Sequence, residues 1–196
     1  MSSQRTVVVL AAGRSERFGA GRHKLAQPLG ASSVLAQTLA RAIASHLRTV
    51  VVTTAAFVDL ARISVAARDI VVLPEVGSDG SGSLGMGTSI AAGVRASFDS
   101  AGWLVLPGDM PFVRPSTVAA VMKAYAREKC FVIPQRHKRH GHPIALPGAI
   151  RTAALAAPAT STLDGVIKSL QLKHIELEID DKGILHDVDT PADLIE

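Results

Sequence analysis

Thr6–Ala11 (TVVVLA) is apolar without alternation, and this run constrains the fold more than any other stretch. A strand with one wet face alternates apolar and polar residues. A continuous β-branched run belongs instead to a strand covered on both faces, as in a parallel sheet layered by helices. Similar runs recur at Thr49–Thr53, Ile70–Leu73, Trp103–Leu106 and Cys130–Ile133. Between them, Ser33–Ala44, Phe57–Ala67, Ser89–Phe98 and Ser116–Glu128 carry apolar residues at helical spacing, with Ser33 as an N-cap. The alternation predicts an α/β fold: a mostly parallel, Rossmann-like three-layer sheet with helices on both faces and right-handed crossovers.

After Pro134 the rhythm changes. A basic, His-rich stretch precedes a short apolar run at Ile144–Leu146 and helical pieces near Ile150–Ala157 and Leu163–Leu170. Lys173–Ile179 alternates as a half-exposed strand would, and Asp180–Gly183 is turn chemistry. Ile184–Asp189 is therefore expected to return as a hairpin partner, giving a small antiparallel C-terminal appendage. Thr190 reads as the N-cap of a last helical turn and Pro191 as its first residue. With no linker or repeat, residues 1–196 read as a single domain, large enough to bury roughly 70% of its unfolded surface.

Composition narrows the classes. At 47% hydrophobic and 19% charged, a disordered chain is excluded. The single cysteine, Cys130, excludes a disulfide framework and a Cys-rich zinc site within one chain; it reads as packing, as does Trp103, in the core or at an interface. Aromatics at 4% are too sparse for platforms that stack single-stranded nucleic acid, so no nucleic-acid partner is expected. Thr6–Ala12 is too short for a membrane span and a poor secretory signal. The expectation is a cytoplasmic protein with no membrane attachment.

In open α/β sheets, ligands bind beyond the carboxyl ends of the strands. Four segments there carry chemistry. Leu10-Ala11-Ala12-Gly13-Arg14-Ser15-Glu16-Arg17-Phe18-Gly19, running on to Lys24, combines small residues with Arg14, Arg17, Arg22 and Lys24, which suits a polyphosphate cradle; the alternative is a solvated basic loop. It is not a Walker A loop, because Lys24 is followed by Leu25. Pro107-Gly108-Asp109 places a hard carboxylate at a strand end, either a Mg²⁺ ligand beside phosphates or an Asx-turn. On an extended segment, Asp187 and Asp189 point one way and Val188 the other, so they supply a second metal ligand or merely cap a turn. Gly80–Ser89 contains G-x-G-x-x-G at Gly80, Gly82 and Gly85, but Pro74–Asp79 separate it from its strand, which weakens a dinucleotide reading. Such a loop before a helix still suits a base or sugar.

Taken together, L-A-A-G-R-S-x-R-F-G…K, P-G-D-M-P and D-V-D-T-P resemble the nucleotidyltransferase family that finishes the molybdenum cofactor, and within it most of all the cytidylyltransferases. The likeness spans nearly the whole chain. It implies a nucleotidyltransferase fold, with CTP and molybdopterin as substrates, Mg²⁺ as cofactor, and a molybdoenzyme or its chaperone as receiver of the product. By this resemblance Ala12, Gly13, Arg14, Arg17 and Lys24 hold the triphosphate, alongside Leu10, Ala11, Pro107 and Gly108. Asp109 holds the metal with Asp189 or Asp187, and Gly87, Thr88 and Ser89 face the base. Arg14, Arg17, Lys24 and Asp109 form the catalytic set. Guanylyl-transferring relatives usually carry two glycines in the first loop, where Ala11-Ala12-Gly13 has one. G-M-G-T-S-x-x-x-G and Gly141-His142-Pro143 also suit the cytidylyl branch. The chain departs from the family in Phe18, where Met is usual, and in the four residues between Gly19 and Lys24, where two are common.

Such a reaction sets two anions together, so fixed cations and a metal must absorb the charge of the leaving pyrophosphate. His137, His140 and His142 suggest zinc, but H-x-x-H-x-H fits no helical face and Arg136, Lys138 and Arg139 repel a cation. The stretch is either an acceptor-facing basic loop or a solvated one, with Gly141 and His142 as the candidate contacts to the acceptor's phosphate. Three rival readings stand beside the main one. A same-fold enzyme would use GTP or another nucleotide, and an oxidoreductase would use a nicotinamide cofactor through Gly80–Gly85. The last is a binding or regulatory protein without catalysis, such as a chaperone for the cofactor, against which Asp109 and Lys24 count.

Overall fold

β1 (Thr6–Ala11) lies inside the sheet, hydrogen-bonded in parallel to β4 (Arg48–Thr54) on one side and β6 (Gly102–Pro107) on the other. This is the placement its unbroken apolar run demands, since both its edges and both its faces are covered. The computed structural model describes residues 4–13, 23–74, 86–156 and 173–194. The expected helix at Leu163–Leu170, the arginines Arg14, Arg17 and Arg22, and the glycines Gly80, Gly82 and Gly85 lie outside the described residues.

Between β1 and β4, a short hairpin of β2 (Pro28–Leu29) and β3 (Ser32–Ser33) leads into α1 (Val34–Ile43), whose first turn is capped by Ser33 Oγ accepting from the Ala36 amide. α2 (Val58–Arg62) follows β4, then β5 (Ile70–Leu73), α3 (Met86–Ala96), β6, α4 (Pro115–Glu128) and β7 (Phe131–Arg136). β8 (Arg139–His140) folds back on β7; β9 (Ile144–Pro147), α5 (Arg151–Ala156) and β10 (His174–Glu178) complete the regular elements among the described residues. The sheet order is β10-β7-β9-β6-β1-β4-β5. β9 runs antiparallel to both β6 and β7, so β7 and β10 regain the direction of the parallel core.

Side chains alternate through this sheet into two apolar layers. Val7, Val9, Val51, Leu104 and Leu106 pack with Leu35, Leu39, Ala61, Val118, Val121 and Tyr125 of α1, α2 and α4. On the opposite face Val8, Val52, Trp103, Val105 and Phe131 pack with Ile90 and Val94 of α3 and Ala154 of α5. Trp103 is a core residue whose indole N–H donates to Ser97 Oγ at 2.9 Å, and Cys130 is buried. Gly93 brings α3 close to the sheet, since any Cβ there would overlap the Val8 side chain.

The antiparallel portion after Pro134 is present as β8 and β9, but the expected hairpin of Ile184–Asp189 is overturned. β10 pairs with β7 in parallel, His174 opposite Phe131 through Glu178 opposite Gln135, and Ile184–Asp189 does not form its antiparallel partner. The reason is Asp181, which is 2% exposed. Its Oδ1 accepts from the Gly183 amide at 2.9 Å, winding Lys182–Leu185 into a 3₁₀ turn. Its Oδ2 accepts from the Arg114 amide at 2.9 Å and Thr117 Oγ at 2.6 Å, tying that turn to the start of α4. Gly183 then lies against the Phe112 carbonyl with no room for a side chain. Helix boundaries also differ from expectation, most of all at two points. α2 stops at Arg62, and α3 begins at Met86, taking Gly87 and Thr88 into its first turn.

Removing the Asp181 carboxylate strands three donors in or beside the core. Asp181→Ala should lower unfolding stability by about 3 kcal/mol in denaturant titrations, because each buried donor left unmade costs 1 kcal/mol or more.

Candidate active site

The site grows from two adjacent strand ends. Where β6 turns out of the sheet, the Gly108 amide donates to the Leu10 carbonyl at 2.7 Å, and a Cβ on Gly108 would sit 2.9 Å from that oxygen. Only glycine lets the turn pass this close to β1, and Asp109 follows it directly, beyond the ends of both strands. The Asp109 carbonyl accepts from the Val188 amide at 2.8 Å, and Val188 is fully buried. Asp187 and Asp189 are thereby brought to Asp109, and one oxygen from each of the three carboxylates lies within 4.8 Å of the others.

Lys24 arrives from the opposite end of the chain, on the 3₁₀ turn Lys24–Ala26. Its Nζ is 2.5 Å from Asp109 Oδ2 and 2.7 Å from Asp189 Oδ1. His23 positions that turn: its Nδ1 accepts from the Leu25 amide, its Nε2 lies 3.2 Å from the Gly13 carbonyl, and its ring packs on Phe57. The longer spacing between Gly19 and Lys24 therefore does not carry the lysine away from the acids.

The electrostatics follow from this crowding. Burial works against the charged Lys24 ammonium, but Asp109 and Asp189 more than offset it and hold its pKa above the ordinary lysine value. The Asp187 carboxyl is pushed up, chiefly by desolvation and further by repulsion from Asp189 and Asp109. His142 is pushed down by burial, against the pull of Asp109, and its Nδ1 is closed off without a hydrogen-bond partner. Asp109 Oδ1 is likewise buried and unpartnered. Three convergent carboxylates, one with an unsatisfied buried oxygen, fit a hard divalent cation.

The remaining expected site residues fall around this centre. Leu10, Ala11, Ala12 and Gly13 form the end of β1, with Ala12 buried and Gly13 exposed. Pro107 ends β6. Gly87, Thr88 and Ser89 occupy the first turn of α3, the helix that lies over β1, β4 and β5. Gly141 packs against the Ile184 carbonyl, which accepts from the His142 amide at 3.0 Å, and the His142–Pro143 peptide is cis. The three histidines of the basic stretch do not converge on a metal: His137 sits in the β7–β8 turn with positive φ, and His140 pairs with Glu176 at 2.7 Å.

Asp193 and His23 are site-building residues that the sequence reading passed over. Asp193 Oδ2 accepts from the Asp189 amide, the Thr190 amide and Thr190 Oγ, shaping the loop that carries the two acids. Thr190-x-x-Asp193 is the spacing of a capping box, so that signal was present in the sequence. His23 had none, because its role depends on Phe57 and Gly13, both distant along the chain.

A nucleotide-transferring α/β enzyme is the class that this strand-edge arrangement of acids, lysine and small-residue loop defines. The chain belongs to the MobA-like NTP transferase domain family, whose model matches residues 7–175. No curated protein matches the sequence significantly. Among solved structures, it resembles Rv0371c of Mycobacterium tuberculosis H37Rv (24% identity, 97% of this chain and 95% of that one, TM-score 0.79), a protein also solved in complex with manganese. It also resembles a nucleotidyl transferase of Methanothermobacter, Mth528 (20% identity, 98% and 94%, TM-score 0.75). A third likeness is to molybdopterin-guanine dinucleotide biosynthesis protein A of Archaeoglobus fulgidus (20% identity, 96% and 94%, TM-score 0.69). The protein is a nucleotidyltransferase by family and fold. Among the described residues no helix is long and apolar enough to cross a membrane.

The raised Asp187 pKa has a measurable sign. A carboxyl whose folded value exceeds its unfolded value of 3.8 favours the native state while protonated; that contribution is lost as pH rises through the folded value. In chelator, the Tm of Asp187→Asn should gain on that of the parent as pH rises from about 4 towards neutrality, and added Mn²⁺ should narrow the gap.

Proposed function

We propose that the protein transfers CMP from CTP to the terminal phosphate of molybdopterin, releasing pyrophosphate. The observation that carries this reading is the meeting of Lys24, Asp109, Asp187 and Asp189 at the carboxyl ends of β1 and β6. A phosphate oxygen of the acceptor attacks the α-phosphorus of CTP, the new P–O bond forms, and the bond to pyrophosphate breaks. No side-chain nucleophile is needed, because the acceptor supplies its own.

This chain's residues then have distinct tasks. The amides and small side chains of Ala11, Ala12 and Gly13 let the triphosphate approach the end of β1, with Arg14 and Arg17 as its counter-charges. Asp109 with Asp189 or Asp187 would hold Mg²⁺, which when bound neutralises charge on the phosphates and the leaving group. Lys24 supplies a fixed positive charge beside them. Gly87, Thr88 and Ser89, on the first turn of α3, would face the base, and Ala12 in place of a second glycine favours cytosine. Gly141 and His142, reached through the basic β7–β8 hairpin, would receive the acceptor's phosphate, with His142 neutral through its lowered pKa. A molybdoenzyme or its chaperone would take the product.

Pyrophosphate release measured with each nucleoside triphosphate in turn, with molybdopterin as acceptor, tests the assignment. CTP should be preferred, and Ala12→Gly should erode that preference; a preference for GTP in the parent would replace the cytidylyl reading with the guanylyl one. NADPH binding tighter than CTP would overturn the transferase reading altogether. Asp109→Asn should slow turnover about a thousandfold, equivalent to roughly 4 kcal/mol at the transition state, with little change in metal-free CTP binding. Near-normal turnover would remove Asp109 from the mechanism.

A further inference from the structure

The acidic cluster already holds a cation, and that cation is part of the chain. Lys24 Nζ touches Asp109 Oδ2 and Asp189 Oδ1 at 2.5 and 2.7 Å, and the three side chains retain only 14, 16 and 21% of their exposure. Asp187 lies beside these two acids, so one ammonium serves two members of a cluster of three carboxylates. The lysine satisfies one oxygen of Asp109 while the other stays unpartnered, so the cluster is only partly neutralised. A divalent ion entering this space meets the ammonium at close range, where like charges in a half-covered site repel strongly.

A triphosphate alters the balance. It brings about four negative charges and gives the ammonium a strong alternative partner. The lysine backbone need not move for this exchange. His23, its chain neighbour, bonds to the Gly13 carbonyl, so Lys24 is anchored between the acids and the loop expected to cradle phosphates. Swinging a flexible four-carbon stem is enough.

We propose that Lys24 is the resident counter-ion of the metal site, handed over to the nucleotide's phosphates on binding, so that divalent cation and nucleoside triphosphate enter together rather than metal first. This rests on the reading that the site takes a nucleoside triphosphate. It predicts weak affinity for a bare divalent ion, and an affinity that rises sharply with nucleotide. The site is thereby kept from filling with metal in the absence of substrate.

Free Mn²⁺ counted by electron paramagnetic resonance tests the idea without any turnover. In the absence of nucleotide, Lys24→Met should bind Mn²⁺ roughly tenfold or more tightly than the parent, because the competing charge has gone. Lys24→Gln, which keeps a donor towards the two acids, should show the same direction of change and serves if Lys24→Met does not fold. A non-hydrolysable CTP analogue should raise Mn²⁺ affinity steeply in the parent and much less in either variant. Variants that bind Mn²⁺ no more tightly than the parent overturn the counter-ion role, whatever the nucleotide does. Failure of every nucleoside triphosphate to bind the parent, with the Mn²⁺ gain intact, overturns the transferase reading instead and keeps Lys24 as the counter-ion of a metal site.

Discussion

A single main-chain hydrogen bond, from the Val188 amide to the Asp109 carbonyl, carries the site. It joins a strand end in the middle of the sheet to a segment near the end of the chain, and it does so through backbone atoms alone. The side chains on either side are therefore left to face outward as acids. The bond is held from behind: Val188 is buried in the core, Gly183 lies flush with Phe112, and Asp181 ties the preceding turn to α4. A rigid, dry scaffold thus presents three like charges within touching distance, an arrangement that isolated peptide segments would not maintain.

Those charges oppose folding as much as they serve chemistry. Desolvation first, and then repulsion from Asp189 and Asp109, push the Asp187 carboxyl up. Lys24 compensates for part of this, since its ammonium pairs with Asp109 and Asp189. The stability of the scaffold and the readiness of the site are linked through one side chain.

Much of the architecture was legible in the sequence because it rests on local pattern. The runs at Thr6–Ala11 and Ile70–Leu73 have the bounds of their strands, Ser33 caps α1 as its type suggests, and the alternation of Lys173–Ile179 marks a half-exposed strand. What pattern could not reveal was pairing. β10 finds β7 in parallel, and the segment after it docks on Phe112 and Asp109 instead of returning as a hairpin, because of Asp181 and the missing side chain at Gly183. The site was legible in the same graded way. Lys24, Asp109, Asp187 and Asp189 announce themselves by position after strands or by spacing. Asp193, which shapes the loop of two of them, carries a local signal in the Thr190-x-x-Asp193 spacing, whereas His23 acts through Gly13 and Phe57, partners that the fold supplies.

β10 stands at one border of the sheet, and its outward carboxylates are already engaged: Glu176 by His140 and Glu178 by the amide of His137. An open border strand invites recruitment by a neighbouring molecule, and charge along it discourages that. By folding β8 back across β7 to meet those acids, the chain makes β10, at this border of the described sheet, a poor template for a strand arriving from a crowded solution.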